Sequence, residues 1–133
     1  MSEENVEILR RIFDRLAEGD GELFWAHLDS EVEWDERDME WPEAGLYRGV
    51  DEVRGLIRRW VGTWDEMRWE ARNYVNAGDT VVVTVRQIGR GRGSGVPVEQ
   101  ERSQTWTFRD GKIVAFRSFV TRAEALEAAG LSE

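Results

Sequence analysis

The stretch Gln100-Glu-Arg-Ser-Gln-Thr-Trp-Thr-Phe108, Arg109-Asp-Gly-Lys112, Ile113-Val-Ala-Phe-Arg-Ser-Phe-Val120 decides the fold. Two runs rich in aromatic and β-branched residues flank Asp110-Gly111. Asp-Gly between such runs signals a two-residue hairpin turn, because both central residues can take positive φ. Side chains alternate across a pleated strand, so Gln104, Trp106 and Phe108 share one face. Val114, Phe116, Ser118 and Val120 form the corresponding set on the return strand. That face is mostly apolar yet carries Gln104 and Ser118, which suggests a surface covered by helices and entered by a pocket. The remainder of the chain reads as what covers this hairpin.

Working outward, residues 80–88 form a valine-rich strand, and Met67, Trp69 and Ala71 begin another, with a turn at 76–79. The glycine-rich run 89–95 lacks the Gly-Lys-Ser/Thr ending of a phosphate-binding loop and lies between strands, so it reads as a hairpin connection. Downstream, Thr121 and Glu124 make a capping box that opens a short helix ending at Gly130. Upstream, Val6, Leu9, Ile12, Phe13 and Leu16 mark an amphipathic helix over 3–18, with Ser2 as its N-cap and Gly19 as its stop. Asp20 caps a second short helix carrying Leu23, Phe24, Ala26 and Leu28. Val32 and Trp34 alternate with acids in a short strand, and 37–48 is a loop in which Trp41-Pro42 could act as a lid. A third helix spans about Val50 to Val61, with Val53, Leu56, Ile57 and Trp60 on one side and Gly62 at its end.

Helices first and then a run of antiparallel strands define an α+β domain, one unit over 1–133, with three helices on one face of a curved sheet and a short C-terminal helix. Both Val81/Val83/Val85 and Val82/Thr84/Ile88 are largely apolar, so either face of that strand could be the inner one. A strand apolar on both faces suggests a second subunit on the far side, hence a homodimer through the sheet.

Composition narrows the function. The chain has 133 residues, 27 acids against 18 bases and a formal charge of −9, which disfavours nucleic acid as a partner. It has no cysteine and one histidine, which argues against Cys- or His-based metal sites and a Ser-His-Asp triad. No apolar run is long enough to span a bilayer, and the acidic start is unlike a signal peptide, so a cytoplasmic location without membrane contact is expected. Seven tryptophans in so small a domain suggest a wide aromatic core, a pocket wall or an oligomer interface.

Leu28-Asp-Ser-Glu-Val-Glu-Trp34, Tyr47-Arg-Gly49, Ala77-Gly-Asp79, Gly89 to Gly95, Phe108-Arg-Asp-Gly-Lys-Ile113 and Glu124-Ala-Leu-Glu-Ala-Ala-Gly-Leu131, in this element order, resemble the SnoaL-like polyketide cyclase group of the nuclear transport factor 2-like superfamily. The resemblance covers nearly the whole chain. It implies a cone of curved, mixed or antiparallel sheet with helices on its concave face, a pocket at the wide end and frequent dimerisation through the sheet. The scaffold hosts isomerases, cyclases, epoxide hydrolases, dehydratases and non-catalytic binding modules, so it implies no single activity.

Ketosteroid isomerases of this superfamily place a catalytic aspartate just after the short strand. Apolar alternation through Val32 and Trp34 puts Glu36 there, or Asp35 if the register slips by one. Their protonated aspartate corresponds to Gln104, which can still donate through its amide. Their oxyanion tyrosine falls at Ile12, which cannot donate, so steroid-type isomerisation is not implied. The epoxide-hydrolase pattern of two aspartates flanking an arginine is broken at Ser118.

The chemical expectation is therefore Glu36 as base, with Arg86 and Gln104 stabilising an enolate or carboxylate, and no metal or cofactor. Arg86 could equally be an ordinary edge charge, and Glu36 a solvated strand end. The expected pocket wall combines Ile12, Leu16, Trp34, Leu56, Ile57 and Trp60 with Thr84, Trp106, Phe116, Ser118 and Val120. Its occupant would be a small hydrophobic ligand or substrate, and a non-catalytic binding or dimerisation domain is the competing function.

Overall fold

The structure, a computed structural model, describes residues 2–39 and 44–131. The element order is α1 (Ser2–Ala17), α2 (Glu22–His27), β1 (Leu28–Asp35), β2 (Leu46–Arg48), α3 (Gly49–Gly62), β3 (Trp64–Ala77), β4 (Thr80–Gly91), β5 (Pro97–Arg109), β6 (Lys112–Phe119) and α4 (Arg122–Ala128). The six strands form one open sheet in the order β2-β1-β6-β5-β4-β3. All neighbours are antiparallel except β1 and β6, which run parallel, so the sheet is mixed.

The hairpin forms as the sequence dictates. Asp110 and Gly111 have φ of 51° and 77°, and Phe108 pairs with Ile113 and Arg109 with Lys112 around them. Trp106 faces Phe116 and Gln104 faces Ser118 across the two strands. A bulge between Thr107 and Phe108 changes the return strand near the turn. One extra residue there moves Ile113 into the buried set in place of Val114. Val120 falls beyond the end of β6 and is 49% exposed. Its expected place in the pocket wall is corrected accordingly.

The inner face of β4 is now defined. Val81, Val83 and Val85 pack with Leu9 and Ile12 of α1, Phe24 of α2 and Val53 and Leu56 of α3, while β5 and β6 add Trp106, Phe108, Ile113 and Phe116. Burying a side chain of this size contributes about 1.5–3 kcal/mol. Val82 points to the other face, where it packs with Phe119 and with Ala125 and Leu126 of α4. The Thr121 side chain accepts from the Glu124 N–H, and Glu124 reaches back to the Thr121 N–H, so the capping box sets the angle at which α4 folds onto that face. The second apolar face of β4 is thus covered within the chain, and its burial does not itself require a second subunit.

Other local readings change at their edges. Gly21, not Asp20, is the N-cap of α2, although Asp20 Oδ1 still accepts from the Glu22 N–H at 2.9 Å. Leu28 begins β1 rather than closing α2. The side chain of Ser2 and the Trp41-Pro42 pair lie outside the described residues. The segment read as one loop over 37–48 contains β2, three residues that pair with β1 through Trp34 and Tyr47. The glycine-rich run begins as strand: Gly89 pairs with Met67 and Val98. A Cβ at Gly89 would stand 2.8 Å from the Glu66 carbonyl oxygen, so glycine is required there by close backbone approach. The turn beyond is fastened to the end of α3 by Arg92, whose Nε donates to the Gly62 carbonyl at 2.9 Å.

Candidate active site

A cavity of about 460 Å³ lies between the inner sheet face and α1, α2 and α3. All six tryptophans among the described residues contribute to its wall: Trp25, Trp34, Trp60, Trp64, Trp69 and Trp106. Trp34 and Trp106 are buried and form its floor. Trp34 stacks on Phe116 with centroids 3.8 Å apart, and its ring meets Trp106 edge-on at 5.5 Å. Phe13 and Phe24 brace Trp106 and Trp34 from the helix side at 5.9 and 5.8 Å. These contacts fix the rings, and the space left above them stays open.

Glu36 follows directly on β1, and its N–H donates to the Gly45 carbonyl at 2.8 Å. That bond turns the chain so that the Glu36 side chain lines the cavity. Asp35 goes the other way. Its carboxylate accepts from Arg37 Nε at 3.0 Å and Nη2 at 2.8 Å, with Arg117 Nε 3.8 Å away. The two adjacent acids are therefore driven apart. Hydrogen bonds from Arg37 hold Asp35 below its ordinary carboxylate range. Burial, reinforced by the Asp35 charge, pushes Glu36 up to about 7. Between the two registers left open by the sequence, the structure puts Glu36 in the cavity and Asp35 in an ion pair.

Gln104 is 7% exposed and also lines the cavity. The Trp106 indole N–H donates to Gln104 Oε1 at 3.0 Å. An indole nitrogen can only donate, so the amide oxygen is the accepting atom and the amide NH₂ is the group left for the cavity. Replacing Trp106 by Phe keeps most of the ring but leaves Oε1 buried without its donor. The expected cost is about 1–3 kcal/mol, read from the urea midpoint of unfolding.

The remaining expected residues divide. Leu16, Trp34, Leu56, Ile57, Trp60, Trp106, Phe116 and Ser118 all line the cavity. Ile12 is fully buried in the core behind it, and its neighbour Phe13 reaches the wall instead. Thr84 and Arg86 alternate with the inward valines and so lie on the opposite sheet face. Arg86 pairs there with Glu99 and, at 3.5 Å, with Glu70. It is part of a cross-strand ladder that also joins Arg72 to Glu101, and the expected role in the site is corrected. His27 is occupied structurally, with Nδ1 2.9 Å from the Leu23 carbonyl oxygen.

Several wall residues were not anticipated. Arg102 and Gln100 line the cavity and stand two and four positions before Gln104 on β5. The same period-two alternation that selects Gln104 selects them. Gln87 opposes Gln100 and accepts a hydrogen bond from its amide at 2.6 Å. Met67 and Trp69 complete the β3 side of the wall. Among the described residues, no group of three or more His, Asp or Glu side chains is placed to hold a metal ion. No helix among them is long and apolar enough to cross a membrane.

With this fold and cavity in view, the comparisons with known proteins place the chain. It belongs to the SnoaL-like domain family, whose model matches residues 9–116. Among solved structures, an NTF2-like protein from Burkholderia thailandensis E264 is 31% identical, with a TM-score of 0.74 over 96% of this chain and 95% of the other. A second NTF2-like protein, from Burkholderia xenovorans LB400, is 26% identical with a TM-score of 0.74, covering 97% of each chain. TerC, co-crystallised with polyporic acid, is 20% identical with a TM-score of 0.75 over 95% of this chain and 98% of its own. No curated protein sequence matches the chain.

Proposed function

We propose that the protein is a cofactor-free proton-transfer enzyme of cyclase or isomerase type, acting on a small, largely apolar carbonyl compound. The observation that carries this reading is the position of Glu36. It is a carboxyl with its pKa pushed up to about 7, in one cavity with the amide NH₂ of Gln104. A base whose pKa lies near the operating pH is ionised in a useful fraction of molecules and basic enough to take a proton from a carbon acid. As that proton leaves, negative charge moves to the carbonyl oxygen, where an N–H donor of Gln104 stabilises it. Arg86 has no part in this scheme.

The aromatic wall supports an apolar substrate with a flat face, since indole rings offer large, rigid contact area. A volume of about 460 Å³ suits a compound of one to three rings. A small organic occupant is in keeping with the polyporic acid bound by TerC. The test is hydrogen–deuterium exchange at the acidic C–H of ring-bearing ketones and β-dicarbonyl compounds, followed by NMR in D₂O. Exchange above the buffer rate that disappears in Glu36→Gln supports the reading. Saturable binding with no exchange for any bound compound makes this a non-catalytic binding domain.

A homodimer through the outer sheet face remains part of the proposal on the family resemblance. Light scattering at two protein concentrations tests it, and a concentration-independent monomer mass removes it.

A further inference from the structure

Arg102 is the cation of the cavity wall that the proton-transfer scheme does not use. It is half-buried on the inner face of β5. Its Nη1 donates to the Glu101 carbonyl at 2.8 Å, while its Nε is buried with no acceptor. The acids nearest in sequence are turned to the other sheet face, where Glu101 holds Arg72 and Glu99 holds Arg86. Of the acids that line the same cavity, Asp65 lies 3.9 Å from Arg92, and Glu36 is raised with no cation opposing the effect. Arg102 thus has no carboxylate partner among the described residues. A buried guanidinium N–H without an acceptor is costly unless something completes it.

Sheet register separates this group from the base. Trp34 pairs with Phe116 and Asp35 with Arg117, so Glu36 continues the row of Ser118, which pairs with Gln104. Glu36 and Gln104 therefore stand two strand spacings apart, about 10 Å, in one row. Arg102 lies two residues along β5 from that row, about 7 Å further, beside Gln100. Trp64 Nε1 is also buried without an acceptor, but it pairs at the level of Gly91, well away along the sheet, and belongs to another part of the wall.

Resting on the reading of this cavity as a substrate site, we infer that its ligand is an apolar ring compound bearing one carboxylate, with the carboxylate held by Arg102 and the reacting carbonyl directed toward Glu36 and Gln104. One guanidinium matches one carboxylate in charge and in planar geometry. A phosphate dianion would bring more charge than a single cation offsets, in a cavity that also contains Glu36 and Asp65. Arg102 fixes which end of the ligand enters first, and is in this sense a positioning residue.

Benzoate, 2-naphthoate and 2-anthroate, each paired with its primary amide, test this. The readouts are tryptophan fluorescence and calorimetry, on the wild type, Arg102→Gln and Arg102→Lys. In the wild type, at least one carboxylate should bind about tenfold or more tighter than its amide, the scale of a charge-assisted hydrogen bond. Arg102→Gln should bring that preference within about threefold while leaving the affinity for the amide nearly unchanged, and Arg102→Lys should keep part of it. Equal affinities in the wild type, failure of every pair to bind, or a preference that survives in Arg102→Gln overturns the inference. The wild-type comparison needs no variant, so misfolding of Arg102→Gln would not protect it. Exchange dependent on Glu36 without carboxylate preference removes the head-group assignment alone; preference without exchange removes the catalytic reading alone.

Discussion

Glu36→Gln should melt about 10 °C higher than the wild type at pH 8, with the gap closing as the pH is lowered toward 4.5. The sign follows from proton counting. In the unfolded chain Glu36 has its ordinary value of 4.5, and in the folded protein about 7. Between these values the folded state holds a proton that the unfolded state has released, so stability falls as pH rises. The favourable contribution is complete below 4.5, is lost through about 7 and does not change further above. A shift of this size corresponds to roughly 3 kcal/mol, or about 10 °C for a domain of this length. Glutamine carries no charge to desolvate at any pH, so the variant lacks the loss. Asp35 acts in a separate window. Its carboxyl is held below 3.8, so its contribution is present above that value and is lost as pH falls through the lowered one. Calorimetric melting from pH 4.5 to 8.5 checks the statement about Glu36, and extending the series below pH 3.8 checks the one about Asp35.

The second large effect is on rate. If Glu36 removes the proton, Glu36→Gln should lower the Glu36-dependent exchange rate by about 10²–10⁴-fold, the usual contribution of a positioned general base. In the wild type, exchange per unit of free enzyme and substrate should rise with pH to a plateau, with a midpoint near 7 set by the Glu36 ionisation. Gln104→Leu should lower the plateau while leaving the midpoint nearly in place, because it removes an oxyanion donor and not the base. NMR exchange rates across pH for the three proteins provide the check. A variant that destroyed the fold would lose both features together, and the melting curves detect that.

Stability and activity thus pull in opposite directions at one residue. Burial that destabilises ionised Glu36 is the same burial that brings its pKa to the operating range. Local cost at a reactive group is expected where function sets the residue type.

Much of the fold was legible because its signals are local. Asp110-Gly111 fixed a hairpin, Thr121 and Glu124 a helix start, and Gly19, at φ 82°, the end of α1. Period-two alternation along β5 placed Gln104, Trp106 and Phe108 correctly. It failed on the return strand because a bulge cannot be read from alternation, which is why Ile113 and not Val114 is buried. β2 was missed because three residues are too few to show a period. The site was less legible. Val81 through Ile88 is apolar on both faces, so the inner face of β4 is fixed only by its pairing with β5, where Val83 opposes Gln104. That ambiguity put Arg86 in the site and left Arg102 out, although Arg102 shares the alternation of Gln104. The direction of Glu36 against Asp35 depended on Arg37, Arg117 and the Gly45 carbonyl, contacts made across loops and strands that no sequence period encodes.

The central claim is that Glu36 is a cavity carboxyl titrating near neutrality, and its own titration tests it most directly. Side-chain carboxyl resonances of protein labelled with ¹³C at glutamate Cδ would be followed from pH 3 to 9, with Glu36→Gln identifying the signal. A midpoint near 7 for that one resonance, with Glu36 as the outlier among the glutamates, is the predicted result. A midpoint between 4 and 5 would contradict the claim. Glu36 would then be a solvated carboxylate, and neither the pH-dependent stability nor the proton-transfer function would follow.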